Sequence, residues 1–274
     1  MIILRSIKEL KQWRESQDNN IGFTPTMGAL HNGHLSLIEQ SKKHNNKSIV
    51  SIFVNPTQFS INEDLNKYPR NEEKDIELCK NAGVDAIFIP SVNEMYPHSD
   101  ETNLIPPINL ANVFEGSIRN GHFSGVLRII IKLFHLIKPN NAYFGKKDAQ
   151  QLLIIKKMVN DLFLDINIIG CPIIRDCNNL ALSSRNTYLD SASYNLALKI
   201  PQSINLVKEA IKKGEVESNV LENIIKKNLL DFDVDYCNVV NYNLEPIQKI
   251  QKDSSLLLLA VRINNVRLLD NIWF

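Results

Sequence analysis

Up to about residue 173 the chain alternates short, apolar, β-branched segments with amphipathic helical ones, and this alternation restricts it to few folds. "MIIL", "IGFTPT", "SIVSIFV", "VDAIFIP", "NAYFG" and "DINIIGCPII" have strand character. Between them lie "SIKELKQWRES", whose Ser6 and Glu9 have capping-box spacing, and "GHLSLIEQSKKH", with Leu35 and Ile38 on one face. "NEEKDIELCKNAG", a further amphipathic helix, stops at Gly83. "SGVLRIIIKLFHLIKP" and "DAQQLLIIKKMVNDL" complete the helical set, and Pro97 to Pro107 form a loop. Strands joined through helices lie parallel, so the first block is predicted to be α/β, a parallel sheet with helices on both sides. "SIVSIFV", β-branched and apolar but for its two serines, suits a strand covered on both faces.

The texture changes near Ile174. "SASYNLALKIPQSINLVKEAIKKG" and "ESNVLENIIKKNLLD" are predicted as two helices. "VDYCNVVNY" and "SSLLLLAVRI…VRLLDNI" are predicted as strands, the last pair turning at Asn264-Asn265. We therefore expect two domains, 1–173 and a smaller α+β domain, 174–274, which suits a chain of 274 residues.

A net charge of +1 gives no general electrostatic case for nucleic acid or a membrane surface. The longest apolar run, near "IIIKLFHLI", is broken by Lys132 and His135 and is too short to span a bilayer. Cys79, Cys171, Cys177 and Cys237 show no CxxC spacing and the start does not resemble a signal peptide, so we expect reduced thiols in a cytoplasmic protein. The expected ligand is small and soluble.

Open α/β sheets bind ligands beyond the carboxyl ends of their strands. The segments there are "TPTMGALHNGH", "NPTQF", "GKKDAQQ" and "NNLALSSRN", all polar. In "HNGH", Gly33 permits close backbone approach. His34 falls in the first turn of a helix, where free N–H groups and the helix dipole attract anions. His31 and His34 can therefore be a phosphate grip, ordinary cap or surface histidines, or metal ligands. The metal reading lacks a third ligand at a supporting spacing. Lys147 and Asp148 can serve phosphate and ribose, or simply open a charged helix. Ser183, Ser184 and Arg185 suit phosphate, or a capping turn. Asn55 and Gln58 can bind hydroxyls and carboxylates, or mark an Asn-Pro turn. Glu115, Arg119 and His122 are expected in a loop. No Walker sequence, G-x-G-x-x-G or nucleophilic triad is present, which disfavours a P-loop ATPase or a dinucleotide dehydrogenase.

"PTMGALHNGH", "FVNPTQF", "GHFSGV", "YFGKKDAQQL" and "LALSSRNTYL" occur in that order, and together they resemble the pantoate–β-alanine ligase family. The HxGH element alone is shared with a wider nucleotidyltransferase superfamily. A superfamily member that forms no amide therefore remains the alternative, beside a non-catalytic nucleotide-binding module. The resemblance implies a Rossmann-like sheet domain and a C-terminal lid domain. It implies condensation of pantoate with β-alanine through a pantoyl adenylate, with ATP and Mg²⁺, in a cytoplasmic homodimer. By resemblance, His31, His34, Lys147, Ser183, Ser184 and Arg185 are catalytic. Pro25, Thr26, Met27, Gly28 and Gly33 would join them around ATP. So would Gly145, Lys146, Asp148, Ile174 and Leu182. Gln58 and Gln151 would grip pantoate, near Met27, Asn55, Tyr68, Glu115 and Arg119. The metal ligands are not implied. Thr57, Asn120, Arg128, Lys146, Ala149 and Leu182 depart from the family's usual residues.

Overall fold

A computed structural model describes residues 1–17, 20–60, 63–98 and 101–274. The expected loop from Pro97 to Pro107 is without regular structure up to Pro107, and its residues 99 and 100 lie outside the described ones. The chain divides into two compact units, 1–146 with 154–172, and 147–153 with 173–274.

In the first unit, β1 (Ile2–Leu4), β2 (Ile21–Thr26), β3 (Lys47–Ile52), β4 (Ala86–Phe88), β5 (Asn141–Gly145) and β6 (Asn167–Cys171) form one sheet. Its order is β1-β4-β3-β2-β5-β6, and every pair is parallel. α1 (Ile7–Glu15) starts at the expected Ser6–Glu9 capping box. α2 (Asn32–His44) and α3 (Glu72–Asn81) pack Ile38 and Cys79 against Val50, Ile52 and Ile87 of the sheet. After the short turns α4 (Val92–Met95), α5 (Ile108–Ala111) and α6 (Glu115–Ile118) comes α7 (His122–Ile137). Its Phe134 meets Phe23 of β2 edge-on at 6.3 Å. α8 (Ala149–Asp161) links β5 to β6.

The strand order locates the ligand edge. From β2 the chain steps outward through β3 and β4, then returns to place β5 on the other side of β2. The crevice at such a reversal is where open sheets bind ligands. It falls at the carboxyl ends of β2 and β5, which carry "MGALHNGH" and "KKDAQQ".

In the second unit the expected single helix over "SASYNLALKIPQSINLVKEAIKKG" is two, α9 (Ser191–Ala197) and α10 (Lys199–Lys212). Pro201 lacks an N–H, and its ring crowds the carbonyl four residues back, at Ala197, where α9 stops. α11 (Ser218–Asn228) follows. β7 (Asp233–Asn241), β8 (Ser255–Ile263) and β9 (Val266–Trp273) form an antiparallel sheet in that order. Leu257, Leu259, Val261 and Ile263, at period 2, face Ile200, Ile204, Leu221 and Ile225 of the helices. The hairpin turns at Asn264, whose φ of 52° is the left-handed conformation asparagine tolerates. Among the described residues no helix is long and apolar enough to cross a membrane.

Candidate active site

The two histidines of "HNGH" cap their own helix. His31 is the N-cap residue of α2, and its Nδ1 accepts the Gly33 N–H at 3.1 Å. His34, at the third helical position, accepts the His31 N–H on its own Nδ1 at 3.3 Å. This is a capping box built from imidazoles in place of a hydroxyl and a carboxylate. A backbone N–H can only donate, so each Nδ1 is an acceptor and each neutral ring carries its proton on Nε2. The rings lie 4.1 Å apart, centroid to centroid. Thus the cap and the phosphate reading are compatible: one nitrogen of each ring builds the helix end, and the other is an N–H donor. Among the described residues no group of three or more His, Cys, Asp or Glu could hold a metal ion.

The loop before this helix is held in an uncommon shape. Gly28 and Ala29 both have positive φ, 84° and 50°. For Ala29 that conformation costs on the order of 1 kcal/mol or more. Asp75 of α3 holds it there, accepting Ala29 N–H at 2.8 Å and Leu30 N–H at 2.7 Å. Burial pushes the Asp75 carboxyl above its usual range, opposed by those two N–H groups. A Cβ on Gly28 would lie 3.0 Å from Asp75 Oδ2. Thr26, at the end of β2, donates to Ser51 O at 2.8 Å and accepts from Gly28 N at 3.3 Å. Pro25 and Met27 flank it.

The segment after β3 turns through a 3-10 helix, Pro56–Gln58. Asn55 is 1% exposed, and it gives its amide N–H groups to Gln58 Oε1 and Gly125 O, both at 3.1 Å. Its Oδ1 accepts from Tyr96 at 2.8 Å and from Thr57 Oγ1 at 3.0 Å. Thr57, a departure from the family pattern, thus joins the network with its hydroxyl. With Gln58 Oε1 taken by Asn55, its Nε2 points to Met27 Sδ, 2.8 Å away. Gly125 lets this turn lie on α7: a Cβ there would be 2.1 Å from Thr57 O. Tyr68 is buried edge-on to Phe59, 5.8 Å between centroids.

Glu115, Arg119 and His122 are not in a plain loop, as expected from sequence. Glu115 opens α6, Arg119 caps it, and His122 is the first residue of α7, which starts two residues before the expected Ser124. Gly121, with φ of 78°, makes the entry turn. Glu115 and His122 are buried.

Gly145 ends β5, and Lys146 donates its backbone N–H to Cys171 O of the β6 strand at 2.8 Å. The remaining predicted residues belong to the second unit. Lys147 Nζ lies 3.0 Å from Asp148 Oδ1, and Gln151 is in the first turn of α8. Ala149 is buried at the helix start. Ile174 and Leu182 are joined by a backbone hydrogen bond of 3.0 Å. Ser183 caps the 3-10 turn Ser184–Tyr188 by accepting the Arg185 N–H at 3.2 Å. Ser184 is buried.

Sequence reasoning missed Asp75, Asp270 and Asn271. Asn271 of β9 donates its side-chain amide to Lys147 O at 2.8 Å. Asp270, with its side chain wholly buried, takes Arg175 on both oxygens at 2.7 Å. The available signals were an acid four residues before Cys79 on the buried face of α3, and a polar pair inside the apolar run "VRLLDNIW".

Residues 2–273 match the family described as pantoate-beta-alanine ligase. The pantothenate synthetase of Helicobacter pylori (strain ATCC 700392 / 26695) is 50% identical over 275 residues, covering 100% of both chains. That of Campylobacter hominis is 48% identical over 273 residues, again with full coverage of both. The crystal structure of pantothenate synthetase from Thermus thermophilus has a TM-score of 0.94 at 36% identity, covering 99% of each chain. That of pantoate-beta-alanine ligase from Francisella tularensis, complexed with beta-gamma ATP and beta-alanine, has a TM-score of 0.81 at 38% identity, covering 100% of this chain and 97% of its own.

Proposed function

The chain belongs to the pantoate–β-alanine ligase family, and from that premise we propose how its own residues carry out the ATP-dependent joining of pantoate to β-alanine. A carboxylate oxygen of pantoate attacks the α-phosphorus of ATP. The O–P bond forms as the bond to the β-phosphate oxygen breaks, leaving pantoyl adenylate and pyrophosphate. The amine of β-alanine then attacks the acyl carbon, loses a proton, and releases AMP. No enzyme nucleophile is required. Burial pushes the Cys79 thiol up to about 12 and that of Cys171 to about 11, so both are protonated at neutral pH.

The observation that carries this reading is the imidazole capping box. It directs two Nε2–H donors from the positive end of α2, where the phosphates of ATP gain charge as pyrophosphate leaves. These donors need no ionised histidine. Pro25, Thr26, Met27, Gly28 and Gly33 line that end for the nucleotide. Lys147 supplies a further phosphate contact, and Ser183, Ser184 and Arg185 add theirs from residues 174–274, which we take as the lid domain on the family resemblance. Gly145, Lys146, Asp148, Ile174 and Leu182 serve the adenosine. Gln58, its amide oriented by Asn55, and Gln151 take the carboxylate and hydroxyls of pantoate, beside Tyr68 and Glu115. Magnesium belongs to the substrate as MgATP, since a hard cation of this kind is commonly held mostly by phosphates and water. It supplies charge neutralisation to the departing pyrophosphate. We place the enzyme in the cytoplasm as a homodimer, as the family resemblance implies.

With ATP, magnesium, pantoate and β-alanine, the protein is expected to form pantothenate, AMP and pyrophosphate in equal amounts. Release of ADP and phosphate instead would contradict the adenylate route.

A further inference from the structure

A hydrogen-bonded chain of side chains ends on the backbone of Gln58. Glu63 takes Arg119 in a bidentate pair, Oε1 from Nε and Oε2 from Nη2, each at 2.8 Å. Arg119 Nη1 lies 2.9 Å from His122 Nε2. A guanidinium has no acceptor, so Nε2 accepts and the imidazole proton resides on Nδ1. His122 Nδ1 lies 2.8 Å from Gln58 O and donates to it. His122 is 6% exposed as a residue, with Phe123 packed against its ring at 4.9 Å between centroids.

We propose that His122 is a positioning residue for pantoate: it anchors the Gln58 carbonyl, while Arg119 and Glu63 fix the tautomer that lets it donate. This rests on the reading of Gln58 as a pantoate ligand. Gln58 has other restraints: the Asn55 amide and Met27 Sδ on its side chain, the close contact of its turn with Gly125, and the Phe59 N–H of the same peptide unit, which donates to Pro56 O at 3.2 Å. Of these only the Phe59 bond acts on the carbonyl direction, and it is the single closing bond of a short 3-10 turn, a class whose hydrogen-bond geometry is poor. Without the imidazole donor the peptide after Gln58 can rotate, and the side-chain amide is re-aimed. A misplacement of about 1 Å is enough to lose up to about 100-fold in a positioned reaction. The loss falls on pantoate rather than ATP, because the histidines of α2 are held by their own cap and the loop before them, at Ala29 and Leu30, by Asp75. Arg119 and Glu63 then act on the substrate through His122.

The test is a pair of variants at this position. Asparagine places an amide N–H close to where Nδ1 stands, whereas leucine fills the space and donates nothing. His122→Leu is expected to raise the pantoate KM at least about tenfold while the ATP KM stays within about twofold, and His122→Asn to recover to within about threefold of the parent. If the leucine protein does not fold, His122→Gln replaces it, keeping an acceptor for Arg119 but putting no donor at the Nδ1 position. Equal defects in the donor and non-donor variants, parallel rises in both KM values, or an unchanged pantoate KM in the leucine protein would each overturn the proposal. Gln58→Ala is measured alongside. If it leaves the pantoate KM unchanged, the reading of Gln58 itself fails. If it raises that KM and His122→Leu does not, only the role of His122 fails.

Discussion

His34→Gln is expected to melt with the parent protein and yet catalyse pantoate-dependent pyrophosphate exchange at least about 100-fold more slowly, the scale of losing one preorganised donor. The two halves of this result separate two roles. As a cap, His34 contributes a single acceptor, Nδ1, to the His31 N–H. Glutamine at the third helical position makes the same reach-back contact, so the helix end is preserved. As a phosphate donor, His34 contributes Nε2–H from a rigid ring whose orientation the cap has already fixed, and glutamine cannot accept through its oxygen and also reproduce that vector. His34→Ala removes both roles, and should lose the same rate together with about 1 kcal/mol of stability. Exchange by the glutamine protein within about threefold of the parent would mean that His34 only caps the helix.

Arg175→Met should destabilise the second unit by about 3–5 kcal/mol, seen as a lower urea midpoint with an unchanged slope. The side chain of Asp270 is 0% exposed, and its charge is met by both Arg175 Nη groups at 2.7 Å and by the Asn271 N–H at 2.8 Å. Removing the guanidinium strands a buried carboxylate. The double variant Arg175→Met/Asp270→Leu removes both charges and should regain most of the loss, because a buried ion pair adds little over apolar packing of similar volume. The pair also has a functional link. Asn271, next to Asp270 on β9, holds Lys147 O at 2.8 Å. The single variant should therefore slow adenylation even at temperatures where it remains folded. A loss in Arg175→Met below about 0.5 kcal/mol would mean that solvent reaches Asp270.

The parallel sheet was legible because its strands are buried on both faces: β3 is buried from Ser48 to Ile52 and apolar there but for two serines, β4 is apolar throughout, and the helices between them have one apolar side. Where the site would lie within the sheet was not. The sequence orders the strands β1 to β6, but the reversal between β2 and β5 depends on which edges pair, and hydrophobic pattern carries no such information. The same limit applies to side chains. His31 and His34 were visible as a motif because their partners are three residues apart, whereas Asp75 meets Leu30 across 45 positions and Asn271 meets Lys147 across 124. Local spacing also misplaced His122. An Arg-Asn-Gly-His run resembles a loop, and only the left-handed Gly121 shows that the helix has already begun. The break between α9 and α10 was signalled by Pro201 but lies four residues before it, at the carbonyl the ring crowds.

Activation of pantoate as an adenylate before β-alanine takes part is read by the exchange of labelled pyrophosphate into ATP with magnesium and pantoate present and β-alanine absent. Exchange is expected to depend on pantoate and to be lost in His34→Gln and Lys147→Ala. Exchange that needs no pantoate, or none until β-alanine is added, would contradict it.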